Sequence, residues 1–211
     1  AGHAVCLHGV SLSLGGQAPI NAPFVREVRA LMDDLGSTFY SDHLAASGDA
    51  HQLYDLFPIP FTEAEVVRVS DRIRQVQDLL GCRIAVENTT YYTNIGELNE
   101  PEFLMRVAER ADSGLLLDLN NITVNQKNHG TVGIDAFVAQ IDLDRVTYLH
   151  VAGHEFDARF GLYIDTHSDR VERLTAQAAA RLAREHGKPI LLEWDNDFPS
   201  QATLNEELAC L

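Results

Sequence analysis

Short apolar segments alternate with amphipathic helical segments six times along the chain, and this alternation constrains the fold more than any other feature. The apolar segments are continuous, whereas the segments between them carry apolar residues at helical spacing. Strands that are apolar throughout are typical of a parallel sheet covered by helices. The alternation therefore predicts an α/β fold, with strands at residues 4–8, 38–43, 83–86, 114–118, 145–151 and 189–192.

Local signals place the ends of the predicted helices. Thr62 and Glu65 form a capping box, which predicts that a long helix begins there. Gly36 follows one apolar helical stripe and is expected to end it in a left-handed conformation. Pro101 stands near the start of another helix, and a further helix is predicted from about Asp169 to His186. A short helix over 134–141 and a last short helix complete the pattern.

Two layouts suit this order of elements, a doubly wound open sheet and a (β/α) barrel. The dinucleotide-binding fingerprint G-x-G-x-x-G does not follow any predicted strand, and no Walker A sequence or G-x-S-x-G elbow is present. We find no internal repeat, low-complexity segment or linker, so residues 1–211 are predicted to form a single metal-binding barrel domain.

Charge and composition exclude several classes of protein. A formal net charge of −15 over 211 residues argues against a nucleic-acid-binding surface. No apolar run is long enough to cross a membrane, and no signal-peptide pattern opens the chain. Cys6, Cys82 and Cys210 are far apart and odd in number, which predicts reduced core thiols in a cytoplasmic protein.

Every predicted strand ends at or beside a side chain that can bind a metal. In a barrel all parallel strands direct their carboxyl ends to one mouth, where active sites lie. A single His or Asp at a strand end is more often a solvated or capping residue, but six in the same relative position favour an N/O metal site for Fe, Mn or Zn. Two or three ions are plausible. The candidate metal ligands are His8, His43, Glu87, Asp118, Asn121, His150, Asp165, His167 and Glu193.

Four further polar residues lie next to these candidates in the sequence. We expect them to hold the ligands in place or to contact the substrate, as a carboxylate that fixes the tautomer of a ligand histidine does. No catalytic residue beyond the metal site is predicted. The four residues are Asn88, Asn120, His154 and Asp195.

The motifs around these residues also carry a family resemblance. Together they resemble, in order and over essentially the whole chain, the multinuclear non-haem iron-dependent oxidative enzymes that modify ribosomally made peptides, including those of methanobactin biosynthesis. The motifs are HGVSLSLG from His8, SDHL from Ser41, Glu87-Asn88, LDLNN from Leu117, HVAGH from His150, Asp165-Thr166-His167 and Glu193-Trp194-Asp195.

The resemblance implies a TIM barrel of the xylose-isomerase-like type, which has eight strands. This chain shows six, and His8 is expected on the third strand of the family barrel. The first two strands are therefore expected to be lacking here. Because an open sheet would expose strand edges, we expect another segment of the same protein, or a partner chain, to cover the gap.

The resemblance also implies the chemistry. Two or three iron ions, with O2 as co-substrate, would modify Cys residues of a precursor peptide in natural product biosynthesis, and a partner protein would recognise the leader of that peptide. The ligand order is similar to that of the trinuclear endonuclease IV sites, except that Asn121 stands where those enzymes have a histidine. This departure fits the iron enzymes better.

Two alternatives remain open at this point. A Zn- or Mn-dependent sugar isomerase or phosphodiesterase could use the same barrel and a similar ligand set. A non-catalytic, degenerate barrel could also retain these residues without activity. Metal content and oxygen uptake would distinguish the three readings.

Overall fold

The computed structural model describes residues 5–48, 52–93 and 96–211. It divides into two compact units, Ala1–Leu115 and Leu116–Leu211. The boundary falls inside one strand, so that each unit contains part of it. The prediction of one domain over residues 1–211 remains a prediction.

The first unit contains parallel strands with helices between them. The strands β1, β2 and β5 lie side by side in that order, and the start of β6 follows β5. Backbone pairing aligns His8 with Ser41 and His43 with Glu87. A hairpin of β3 and β4 interrupts the alternation. The elements are β1 Leu7–Gly9, α1 Ala22–Leu35, β2 Tyr40–His43, β3 Ala46–Gly48, β4 Gln52–Phe57, α2 Glu63–Leu80, β5 Ala85–Glu87 and α3 Glu100–Ala111.

The second unit continues the pattern from the rest of β6, with the strand order β6-β7-β10. The strands β7 and β10 are parallel, and Leu191 is aligned with His150. A second hairpin, β8 and β9, follows β7. The elements are β6 Gly114–Asp118, α4 Leu119–His129, α5 Ile134–Val138, a 3-10 turn Leu143–Arg145, β7 Val146–Val151, β8 Glu155–Asp157, β9 Leu162–Ile164, α6 Arg173–His186, β10 Ile190–Leu192 and α7 Gln201–Cys210.

The predicted α/β alternation is confirmed, and all six predicted strands have counterparts among the described residues. Residue 4, at the start of the first predicted strand, lies outside them. Two hairpins, β3-β4 and β8-β9, lie in segments for which no strand was predicted. The helix predicted from about Asp169 begins instead at Arg173, because residues 169–172 form an irregular segment, and Glu172 takes the cap position with an extended backbone.

The helix ends predicted at Thr62 and Gly36 are confirmed. Only one of the two hydrogen bonds of the capping box forms, because the Thr62 N–H donates to the Pro60 carbonyl and the Glu65 carboxylate pairs with Arg68. The hydroxyl of Thr62 accepts a hydrogen bond from the backbone N–H of Glu65 at 3.3 Å, and Gly36 ends α1 with a φ of 65°. Asp118 caps α4 in the same way, because its Oδ1 accepts from the N–H of Asn121 at 2.7 Å. The strand end at Asp118 is therefore also a helix start.

Helix α4 was not predicted. Its first seven residues, Leu119–Asn125, are all buried, and three of them are asparagines. A helix that is buried on every side shows no apolar stripe at helical spacing, which is the signal that reveals a surface helix. The asparagines made this segment resemble a turn.

Two arginines of α2 hold the loop that follows β1. Arg68 donates to the carbonyl oxygens of Gly15 and Gly16 at 2.8 and 2.7 Å. Arg72 donates to three more carbonyl oxygens, those of Ser13, Leu14 and Ala18, at 2.8–2.9 Å. Because guanidinium groups present several donors in a fixed plane, this pair fixes the course of residues 13–18 close to the end of β1.

The prediction of core thiols was wrong. Cys6 and Cys210 are exposed, and Cys82 is half-buried. None of the three forms a disulfide, as predicted. Apolar neighbours in a sequence do not determine which face of the chain a side chain takes. Among the described residues, no helix is both long enough and apolar enough to span a membrane.

Candidate metal centre

In the first unit a buried carboxylate meets two imidazole rings. Oε2 of Glu87 lies 3.1 Å from Nε2 of His8 and 3.3 Å from Nε2 of His43. The Glu87 side chain is only 1% exposed, and the centroids of the two rings are 4.7 Å apart. One oxygen thus faces two ring nitrogens in a place largely closed to water.

The strands bring these three residues together. His43 and Glu87 are paired in register at the ends of β2 and β5, and β1 places His8 on the other side of β2. A glycine is required beside His8, because a Cβ atom on Gly9 would collide with the Tyr40 hydroxyl and the Asp42 carboxylate. The Tyr40 hydroxyl and the Asp42 carboxylate therefore occupy the space that a side chain at position 9 would need.

Hydrogen bonds on the far side of each ring orient the imidazoles. Nδ1 of His43 lies 3.0 Å from the carbonyl oxygen of Gly9, and Nδ1 of His8 is hydrogen-bonded to the Ser41 hydroxyl at 2.9 Å. A carbonyl can only accept, so Nδ1 of His43 carries a proton. In its neutral form the His43 ring then presents an Nε2 lone pair to the Glu87 carboxylate.

Two acceptors at 3.3 Å repel each other unless a proton or a cation lies between them. Fe, Mn and Zn bind imidazole nitrogens and carboxylate oxygens in proteins. The imidazole ligands of such metals are commonly oriented by a carbonyl group that accepts from their other ring nitrogen. The residues of the first unit therefore fit a metal ion.

The second unit contains a similar group. Nδ1 of His150 lies 3.0 Å from Oε2 of Glu193 and 3.9 Å from Oδ2 of Asp118. His150 and Asp118 are almost completely buried. The two oxygens of Asp118 make different contacts: Oδ1 caps α4, whereas Oδ2 faces His150. The ligand atoms of these three residues all lie within 4.8 Å of one another, close enough to surround one ion.

Glu193 also connects this group to His167. The N–H of Glu193 donates to the Val151 carbonyl at 3.0 Å, which extends the pairing of β10 with β7 to the end of both strands. Oε2 of Glu193 then lies 3.5 Å from Nδ1 of His167. His167, Glu193 and Asp195 form a second group whose ligand atoms lie within 4.8 Å of one another.

The loop that carries Asp165 and His167 is held firmly. The His167 N–H donates to the Gly153 carbonyl at 3.1 Å, and the His167 carbonyl accepts from the Asp195 N–H at 2.9 Å. Gly153 is essential to this approach, because a Cβ atom there would collide with the Asp169 backbone. His167 has a φ of 47°, a left-handed conformation that is uncommon for a residue with a side chain and that often marks functional sites.

Negative charges surround the His167 ring. Its Nε2 lies 2.9 Å from Oδ1 of Asp165, and its Nδ1 lies 3.0 Å from Oδ2 of Asp195. Burial alone would lower the pKa of His167, but the hydrogen bond to Asp165 and the charges of Asp165, Asp118 and Glu193 outweigh it and raise the pKa to about 10. The negative charges around His167 therefore favour its protonated form in the metal-free protein.

This pKa makes the stability of the metal-free protein depend on pH. A pKa raised in the folded state contributes stability that is complete below about pH 6.5 and is lost as the pH rises towards 10. After removal of metal by a chelator, we expect the free energy of unfolding to fall by on the order of 1–3 kcal/mol between pH 6.5 and 10. Urea titrations at several pH values measure it. The variant His167→Gln should lack this fall, and an equal fall in the variant would contradict the assignment.

The remaining predicted residues occupy positions around these groups. Asn120 donates from Nδ2 to Oδ1 of Asp165 at 2.6 Å, and its Oδ1 lies 2.7 Å from Nδ1 of His154. Asn121 is buried in the first turn of α4, where its backbone N–H bonds to Asp118. Asn88 is buried directly after Glu87 and lines a small pocket of mixed polar and apolar residues.

In each unit the structure thus brings predicted residues together: His8, His43 and Glu87 in the first, and Asp118, His150, Asp165, His167, Glu193, Asp195, Asn120 and His154 in the second. Two charged residues that contact His154 were missed, Lys127 and Glu172. Neither lies at a strand end, which was the signal used to select candidates, and neither has a sequence signal that separates it from ordinary surface charges.

Comparisons with known proteins agree with this architecture. A family model described as "RiPP precursor modification enzyme MbnB/TglH/ChrH" matches residues 1–211. A "UPF0276 protein" of Neisseria meningitidis serogroup C (strain 053442) is 47% identical over 211 residues, which cover 97% of this chain and 74% of that protein.

Solved structures are similar in fold at low sequence identity. The 3-keto-D-glucoside 4-epimerase YcjR from E. coli has a TM-score of 0.59 and 13% identity, with 99% of this chain and 78% of that chain covered. A "xylose isomerase-like TIM barrel/4-hydroxyphenylpyruvate dioxygenase fusion protein" has a TM-score of 0.58 and 16% identity, with 90% and 30% covered. The predicted fold class, an α/β fold of the xylose-isomerase-like TIM-barrel type, is confirmed.

Proposed function

Because this chain belongs to the MbnB/TglH/ChrH family of RiPP precursor modification enzymes, we propose that it catalyses an iron- and oxygen-dependent oxidative modification of cysteine residues in a ribosomally made precursor peptide. The observation that carries the proposal is the contact of one buried carboxylate, Glu87, with two oriented imidazoles. The family acts on precursor peptides; the metal, the co-substrate and the target residue are our proposal.

The proposed ligands are imidazole, carboxylate and amide groups. They are His8, His43 and Glu87 in the first unit, and Asp118, Asn121, His150, Asp165, His167 and Glu193 in the second. None of the three cysteines of the chain is among them. A site without a protein thiolate leaves the binding of sulfur to the substrate, which suits a peptide whose reactive group is a cysteine.

When bound, two or three iron ions would supply one-electron chemistry with O2 and open positions for the cysteine sulfur. The residues of the chain supply orientation. The Gly9 carbonyl and the Ser41 hydroxyl hold the rings of His43 and His8 so that both Nε2 atoms face Glu87. Asp195 holds Nδ1 of His167, which directs the other ring nitrogen towards Asp165.

Burial of the proposed ligands also favours cation binding. Glu87, Asp118 and His150 are almost inaccessible to solvent, which strengthens their electrostatic interaction with a cation and keeps water from competing with the substrate. We also propose that a partner protein delivers the peptide by recognising its leader, as the resemblance of the sequence to peptide-modifying enzymes implies.

The proposal is tested by metal content and by reaction with peptide. The protein is purified with and without exclusion of air, and its metals are measured. The form loaded with Fe(II) is then incubated with O2 and with short cysteine-containing peptides, which are sought among the genes near its own. We expect bound iron, oxygen uptake and a mass change confined to cysteine. Zinc as the only bound metal, together with hydrolysis of a phosphodiester and no oxygen uptake, would contradict the proposal, as would an unchanged peptide beside a fully iron-loaded protein.

A further inference from the structure

Lys127 is held by three neighbours in the last turn of α4. Its Nζ lies 2.5 Å from Oε2 of Glu172 and 2.8 Å from Nε2 of His154, and it lies over the ring of Tyr163 at 4.6 Å from the centroid. An ion pair, a hydrogen bond and a cation–π contact thus converge on one ammonium group. A solvated surface lysine would not make three specific contacts of this kind.

The contacts of Lys127 begin a chain of hydrogen bonds that ends at a proposed iron ligand. Nδ1 of His154 lies 2.7 Å from Oδ1 of Asn120, whose Nδ2 lies 2.6 Å from Oδ1 of Asp165. Each step is short, and the path runs entirely within the second unit. Lys127 is therefore connected to Asp165 through two intermediate side chains.

The groups at the two ends, the Lys127 ammonium and the Asp165 carboxylate, determine which atom donates in each of these hydrogen bonds. An ammonium group can only donate, and an ionised carboxylate can only accept. Asp165 therefore requires the N–H₂ of Asn120, which leaves the Asn120 oxygen to accept from Nδ1–H of His154. Nε2 of His154 then has no proton and accepts from Lys127. Every link is satisfied only if His154 is neutral with its proton on Nδ1.

The surroundings of His154 favour that form. Burial lowers the pKa of His154, and the positive charge of Lys127 lowers it further, against the opposite effect of Glu172, Asp165 and Asp169. The ring of Tyr163 contacts the imidazole edge-on, with 5.6 Å between centroids. The ring is therefore held both in charge state and in orientation.

The same turn of α4 also fixes the backbone that leads to Asp165. The side chain of Asn128 donates to the Tyr163 carbonyl and accepts from the Tyr163 N–H, both at 2.8 Å. Tyr163 lies in β9, which ends at Ile164, the residue before Asp165. Lys127 and Asn128 together join the end of α4 to the segment that carries the proposed ligand.

We propose that Lys127 is a positioning residue for the proposed iron site: it fixes the tautomer of His154, and through Asn120 this sets the orientation of the Asp165 carboxylate. The inference rests on the proposed function only in taking Asp165 as an iron ligand. Glu172 supports it by holding the ammonium group in place.

The first test uses metal-free protein, so that it does not depend on iron. Nitrogen-15 NMR of the imidazole rings reports which nitrogen of His154 carries a proton. We expect a proton on Nδ1 alone in the wild type. In Lys127→Met, Oε2 of Glu172, 3.5 Å from Nε2 of His154, becomes the nearest partner of that nitrogen. Because Asn120 still requires the proton on Nδ1, we expect Nε2 to gain a second proton, which makes His154 an imidazolium. Lys127→Arg, which keeps a cationic donor, should retain the wild-type pattern.

The second test measures iron. We expect Lys127→Met to bind Fe(II) up to about 10-fold more weakly in competition with a chelator, because removal of a direct partner of a metal ligand costs 10- to 100-fold and Lys127 acts through two intermediate side chains. Arg181→Met is the matched control, because Arg181 lines the same cavity as Lys127 and Glu172 but pairs with Asp135, so its loss removes the same charge without touching His154. It should bind iron as the wild type does.

The outcomes separate the two proposals. If Lys127→Met keeps a proton on Nδ1 alone and binds iron as tightly as the wild type, the role of Lys127 is overturned. An equal loss of iron in Arg181→Met would overturn it too, since the effect would then be one of general charge. If the wild type binds no iron while Nε2 of His154 gains a proton in Lys127→Met, the proposed function fails but the control of His154 by Lys127 stands.

Discussion

Glu87→Gln is expected to weaken iron binding by more than about 100-fold, since loss of a residue that merely supports a ligand already costs 10- to 100-fold. The carboxylate is buried, and its Oε2 faces both Nε2 atoms of His8 and His43. Glutamine has the same shape and no negative charge, so that the cation loses its counter-charge in a place without water. Modification of the peptide should fall at least as far. Iron content after anaerobic loading and desalting measures the effect.

The same change should leave the metal-free protein folded. Without a cation, Oε2 of Glu87 faces the two imidazoles, and the glutamine amide can donate to an Nε2 lone pair. We expect the free energy of unfolding to change by less than about 1 kcal/mol, or to rise. Glu207→Gln is the control: Glu207 is a buried carboxylate paired with Arg170 at 2.8 Å, outside the candidate site. That variant should lose stability and keep iron. Normal iron binding by Glu87→Gln would contradict the role of Glu87.

Two substitutions of Asp118 should separate its two roles. Asp118→Asn retains an oxygen that can accept from the N–H of Asn121, so that α4 keeps its cap while the charge beside His150 is lost. We expect iron binding to fall by more than about 100-fold with little loss of stability. Asp118→Ala removes the cap as well and should cost about 1–2 kcal/mol more than Asp118→Asn. Iron competition and urea titration of both variants measure these differences.

Helix α3 offers the matched control for the cap. The side chain of Asn99 accepts from the N–H of Glu102 at 3.0 Å, in the same geometry and outside the candidate site. Asn99→Ala should cost about 1 kcal/mol and bind iron normally. If Asp118→Asn were as unstable as Asp118→Ala, the cap would not explain the difference, and the assignment of one task to each oxygen would be wrong.

The sequence predicted the fold because its local signals agree with its packing. Gly36 and the Thr62–Glu65 capping box mark helix ends through bonds between residues close in the chain. The metal-ligand candidates could be chosen because strand ends are visible as the last residues of apolar runs, and parallel strands direct those ends to one side. The position of His8, His43 and Glu87 followed from this rule.

What the sequence did not reveal depends on contacts between distant residues. The partners of Lys127 are His154, Tyr163 and Glu172, none of them close in sequence. The spacing of apolar residues along a sequence does not indicate contacts between side chains that are distant in the chain. Helix α4 was missed for a related reason, since a helix enclosed on all sides loses the contrast between polar and apolar faces.

Glu87 and Asp118 should differ in how they evolve. At Glu87, selection for stability and selection for metal binding are in opposition, since a buried negative charge lowers the stability of the metal-free protein. A lineage that lost its substrate could therefore replace Glu87 by glutamine at little cost in stability. At Asp118 the two pressures coincide, because the residue that begins α4 is also a proposed ligand. Inactive descendants should keep an Asp or Asn at position 118 long after position 87 has drifted.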